Sequence, residues 1–135
     1  MLETVLQSGL RPKIYPLAVK FLASISSKRT VVIISSHPQT FLERESLGYD
    51  LNGHIHQLCG SVCDKAGIIT QMCTDYGLAP SYAVYVGDMI SDVRAAKHAG
   101  VCMAAITTGY HSREQLTAEN PDIVVDSLTE LLKHL

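Results

Sequence analysis

The chain has 135 residues, 47% of them apolar and 18% charged, which suits one packed domain and excludes a disordered segment. Eleven Lys and Arg against thirteen Asp and Glu give a net charge of -2, so the broad basic face of a general nucleic-acid or anionic-membrane binder is excluded. Purely apolar runs such as Val31 to Ile34 and Val101 to Ile106 fall far short of the roughly 20 residues that cross a bilayer. Residues 1–13 carry Glu3 ahead of any basic residue and do not read as a secretory signal, so a cytoplasmic location is expected. Cys59, Cys63, Cys73 and Cys102 are then expected as reduced thiols. His54 and His56 could share a strand face near Cys59 and Cys63, but this spacing matches no zinc signature. Core thiols beside solvated histidines are the expectation.

In chain order, Leu2, Val5 and Leu6 recur at helical spacing and predict a short helix within residues 1–10. Residues 11–16 contain two prolines and read as a connector. Ala18, Phe21, Leu22 and Ile25 follow at i, i+3, i+4 and i+7, the stripe of an amphipathic helix. Thr30 to Ile34 is β-branched and apolar without alternation, as in a parallel strand covered on both faces. It runs into Ser35 and Ser36, and Pro38 suits the first turn of a helix that carries Phe41 and Leu42. Residues 48–53 are turn-rich, and residues 54–62 form a weaker strand candidate. Ile69, Met72, Cys73 and Tyr76 predict a helix closed by Gly77. A strand over 83–87, a helix over 91–99 stopped by Gly100, and a strand over 101–106 come next. A helix near 113–118, the strand DIVVD and a final helix bearing Leu128, Leu131, Leu132 and Leu135 complete the chain. Strands alternating with helices, joined by right-handed crossovers, imply a doubly wound α/β domain whose functional loops gather at the strand C-termini.

Three of those loops carry tools for a phosphoryl group. Ser35-Ser36-His37 offers hydroxyls beside helix N–H groups, Asp64-Lys65 a compact positive charge, and Gly87-Asp88 to Asp92 two carboxylates one turn apart, suited to a hard cation. His37 is expected as a solvated loop residue, with His98, His134 and Lys97 on helix surfaces and His111 after a Gly-Tyr turn.

The stretches VVIISSHP, DKAG and YVGDMISDVRAAKHAGV, followed by TTGYHSREQL and PDIVVDSLTELL, resemble the haloacid dehalogenase (HAD) superfamily, in particular its phosphoglycolate-phosphatase-like branch. The resemblance implies a Rossmann-like three-layer α/β/α core with a mostly parallel sheet, and a Mg2+-dependent hydrolysis of phosphate monoesters. It further implies that Ser35 and Ser36 bind phosphate, that Ser35 and Lys65 serve catalysis, with Lys65 stabilising the phosphoryl group, and that Asp88 and Asp92 hold Mg2+.

One family element has no counterpart in the sequence. The nucleophile and the general acid/base are an Asp-x-Asp pair at the end of the central strand, and no two aspartates here are separated by a single residue. The expectation is therefore a truncated core, incomplete at the nucleophile strand, with residues 1–10 a helical cap remnant and 11–135 the core domain. Such a chain should be inactive or incomplete, with a weak Mg2+ site. The competing expectation is a catalytically silent domain that binds phosphate or a protein partner. A gap at the sheet centre would call for a strand-donating partner or a homo-oligomer. The ligand is expected to be free phosphate or a small phosphorylated molecule.

Overall fold

The computed structural model describes residues 4–8, 22–26, 28–48, 53 and 55–135. Six strands form one parallel sheet: β1 (Thr4–Ser8), β2 (Thr30–Ile34), β3 (Gln57–Cys59), β4 (Ala83–Gly87), β5 (Cys102–Ile106) and β6 (Ile123–Val125). Their spatial order is β3-β2-β1-β4-β5-β6. The chain thus lays strands outward from β1 in one direction, returns to the centre, and continues in the other. The reversal falls between β1 and β4, where ligands of open α/β sheets bind beyond the strand C-termini.

The helices are α1 (Gln39–Gly48), α2 (Lys65–Asp75), α3 (Ile90–Ala99), α4 (Arg113–Thr117) and α5 (Leu128–Leu132), with a further helical turn at 22–26. Successive side chains of a strand point to opposite faces, and the core divides accordingly. Val32, Ile34, Tyr85, Met103 and Ala105 pack with Ile69 and Met72 of α2, Val93 and Ala96 of α3 and Leu116 of α4. Val31, Ile33, Val84, Val86 and Ala104 pack on the other face with Leu22, Ile25 and Leu131. These are the three expected layers. Asp64 accepts a bond from the Gly67 N–H to start α2, Ser112 and Ser127 cap α4 and α5, and Gly100 closes α3 in the left-handed region.

The main correction concerns the N-terminus. The helix expected over 1–10 is at Thr4–Ser8 a strand, and it occupies the place expected to be empty. β1 pairs in parallel with β2, Thr4 opposite Thr30 through Ser8 opposite Ile34, and with β4, Thr4 opposite Ala83 through Gln7 opposite Val86. Five residues with only Val5 and Leu6 apolar cannot separate helix from strand, and two waiting ladders supply far more backbone bonds than one short helix could. The sheet is therefore continuous, and the ground for expecting a donated strand is removed. A second difference is smaller: α1 runs through Gly48, where a turn was expected. The connector at 11–16, the start of the helix at 18–25, most of the turn after Gly48, and His54 lie outside the described residues. Among the described residues no helix is long and apolar enough to cross a membrane.

Candidate active site

Because every strand runs the same way, Ser35, Lys65 and Asp88 all follow strands that end on one edge of the sheet. Ser35 immediately follows β2 and Asp88 immediately follows β4, so the two flank the C-terminal end of β1. Ser35 is buried, and its Oγ accepts from the His37 N–H at 3.1 Å, folding the loop back on itself. Ser36 and His37 are exposed, and the His37 ring lies 5.1 Å from that of Phe41.

Lys65 and Asp92, 27 residues apart, are brought together: Nζ donates to Asp92 Oδ1 at 2.7 Å. Asp92 is fully buried. Its Oδ1 also lies 3.5 Å from the Tyr85 hydroxyl, and its Oδ2 accepts from the Met89 N–H at 3.1 Å. A buried carboxylate with this many donors has its oxygens well satisfied and in turn fixes the position of Lys65 Nζ.

Asp88 is anchored by the loop at 109–111, part of the stretch TTGYHSREQL, to which no site role was given. Its Oδ2 accepts from the Tyr110 N–H at 3.0 Å and its carbonyl from the His111 N–H at 3.2 Å. His111 Nδ1 in turn accepts from the Ile90 N–H, at the first turn of α3. His111, expected as an ordinary turn residue, is thus a bracket between two loops, and only its distance from Asp88 in sequence concealed it. Gly109 makes this closeness possible, since a Cβ there would stand 1.8 Å from Asp88 Oδ2. Gly109→Ala is expected to push the Asp88 carboxylate from its place while leaving the core intact. A large chemical-shift change at Tyr110 and Asp88 with an unchanged Tyr85 environment would show it; a spectrum identical to the parent would refute it.

Asp88 and Asp92, the expected metal pair, stand one at the end of β4 and one in the first turn of α3, with most of their oxygens already engaged by protein donors. Mg2+ takes six oxygen ligands in near-octahedral order, yet both Asp92 oxygens already accept protein donors and one Asp88 oxygen accepts from Tyr110. Among the described residues no three His, Cys, Asp or Glu converge to hold a metal ion. The donor set therefore does not by itself fit Mg2+. The zinc option likewise finds no support among the described residues. His56 Nδ1 accepts from the Val31 N–H, and Cys59 is buried with its sulfur 3.9 Å from that of Met72. Burial pushes the Cys59 thiol up, Asp75 adding to it, and does the same to Cys73.

A parallel sheet with its strand order reversing beside β1, a part-buried lysine paired with a buried carboxylate and a hydroxyl loop at the same edge define a doubly wound α/β domain with its polar loops gathered at one edge. The family described as HAD-hydrolase-like matches residues 64–131, and the chain belongs to it. A phosphoglycolate phosphatase of Synechococcus elongatus is 28% identical over 126 residues, covering 90% of this chain and 58% of its own length. A phosphoglycolate phosphatase of Pseudomonas putida is 45% identical over 56 residues, 42% of this chain and 21% of that protein. The solved structure of a haloacid dehalogenase-like hydrolase family protein from Streptococcus pneumoniae superposes with a TM-score of 0.82 at 23% identity, over 90% of this chain and 60% of that one. The chain thus spans about three fifths of the longer relatives it matches along most of its length.

Proposed function

We propose that this chain is the phosphate-holding core of a HAD-type phosphatase: Ser35, Ser36 and Lys65 hold the phosphoryl group of a small phosphate monoester, with Asp88 facing it. The observation that carries this reading is the Lys65–Asp92 pair, which fixes a cation on the edge where Ser35 and Asp88 flank β1. The names of the relatives add phosphoglycolate to the candidate monoesters.

Hydrolysis needs a further group. HAD hydrolysis passes through an aspartyl phosphate, and after β1 the sequence reads Gly9-Leu10-Arg11-Pro12, with no aspartate before Asp50. We infer that the 135-residue chain binds phosphate and turns over slowly or not at all. Isothermal titration with inorganic phosphate tests the binding, with and without Mg2+. Binding that is lost in Lys65→Met and retained without Mg2+ is expected, because Asp92 is committed to Lys65. Turnover of p-nitrophenyl phosphate that disappears in Asp88→Asn would sink the inference of incompleteness. Failure of the parent chain to bind phosphate would sink the phosphate reading itself.

A further inference from the structure

A short edge strand is a poor support for a residue that must be held in place. Lys65 follows β3, which has three residues and pairs on one side only, with β2. The loop between β3 and Lys65 is nevertheless tied across its length. Beyond the last paired residues of the two strands, Ser35 N–H donates to Cys59 C=O at 2.9 Å, Val62 N–H to Ser35 C=O at 3.0 Å, and Ser61 N–H to His37 C=O at 2.7 Å. These bonds join the Ser35 loop to the Lys65 loop backbone to backbone.

One side chain completes the seam. Gln39, the first residue of α1, uses both ends of its amide on the opposite loop: Nε2 donates to Leu58 C=O at 3.0 Å, and Oε1 accepts from Gly60 N–H at 2.6 Å. A third contact, Nε2 to Glu43 Oε1 at 3.3 Å, orients the amide along its own helix. The approach is close enough to demand glycine opposite, because a Cβ on Gly60 would stand 2.6 Å from Gln39 Cα and 2.7 Å from its N. An amide that satisfies one donor and one acceptor in the same backbone segment fixes both its distance and its direction.

We propose that Gln39 is a positioning residue of the phosphate site, clamping the loop that leads to Lys65 against the loop that carries Ser35. The inference deepens the phosphate reading and rests on it for its ligand. Without the clamp the edge of the sheet frays, and the ammonium and the hydroxyl loop lose their fixed separation while the core of the domain stands.

The test uses Gln39→Met, close in size and without either bond, and Gly60→Ala, which forces the two loops apart from the other side. Gln39→Glu keeps the acceptor for Gly60 but sets a carboxylate oxygen against Leu58 C=O and the Glu43 carboxylate, turning both donated bonds into repulsion. Gln71→Met, which breaks an exposed bond within α2, is the control. Two quantities are read in the full chain: the inorganic phosphate affinity, and the Lys65 ε-methylene resonance without phosphate. The expected result is an affinity about tenfold weaker in Gln39→Met and Gly60→Ala, on the order of one lost positioning bond. The Lys65 resonance is expected to move in both and in Gln39→Glu, and Gln71→Met to match the parent. Parental affinity and an unmoved Lys65 resonance in a folded Gln39→Met or Gln39→Glu would overturn the proposal while leaving the phosphate reading intact. Should the parent not bind phosphate, the phosphate reading fails, and the Lys65 resonance alone decides whether Gln39 positions Lys65.

Discussion

Lys65→Met is expected to cost about 3–5 kcal/mol of folding stability, a large share of the roughly 5–15 kcal/mol that holds a domain of this size together. The lysine is mostly covered and its partner Asp92 is wholly buried, so removing the ammonium strands a carboxylate in the interior. The Met89 N–H and the Tyr85 hydroxyl remain beside it, but neither carries a compensating charge. Urea unfolding at neutral pH measures the loss as a lower midpoint with an unchanged slope. The double variant Lys65→Met/Asp92→Asn, which leaves no stranded charge, is expected to recover part of the loss. A single-variant loss under about 1 kcal/mol would mean that the pair behaves as a surface ion pair, and would remove the argument that it fixes a cation at the site.

Leu6→Pro is expected to be the most disruptive single substitution near the N-terminus. Leu6 lies opposite Val32 on one side and Tyr85 on the other. Proline has no N–H to give to either ladder, and its ring cannot sit between two parallel neighbours without pushing one away. The orphaned acceptor alone costs about 1–3 kcal/mol, before the displacement of the neighbouring strand is counted. Leu6→Ala isolates the side-chain contribution, so the difference between the two variants reports the ladder. Thermal unfolding and amide exchange at β2 and β4 are the measurements. Equal stability of the proline and alanine variants would show that Thr4–Ser8 does not pair at the sheet centre.

These two residues also show where sequence reading succeeds and where it stops. Thr30 to Ile34, Ala83 to Gly87 and Cys102 to Ile106 were legible because a strand covered on both faces has to be apolar at every position, and that pattern has few alternatives. The placement of Ser35, Lys65 and Asp88 in loops after strands was legible because the strands before them were, and a parallel sheet gathers such loops on one edge. Thr4 to Ser8 was not legible, since its pattern serves a helix equally well and the decision rests with strands that arrive much later in the chain. Gln39 and His111 were hidden for a related reason: each acts on backbone groups about 20 residues away, through bonds that leave no periodic trace. The pairing of Asp92 with Lys65 was missed because the spacing Asp88 to Asp92 suggested a shared ion and gave no hint of a partner across the sheet edge.

The place of β1 also governs the order in which the protein can fold as it is made. Thr4 meets Thr30 early in synthesis but must wait for Ala83 before its other edge is covered. Until then a half-sheet of β1, β2 and β3 has its future centre exposed as an outer edge, the kind that invites pairing with another chain. Closing that edge is the most non-local event in the assembly of the sheet, and it joins the Ser35 and Lys65 loops to the strand that presents Asp88. The candidate site is therefore completed only with the second half of the chain, and a nascent chain halted before Ala83 would hold the hydroxyl loop and the lysine without the buried carboxylate that fixes it.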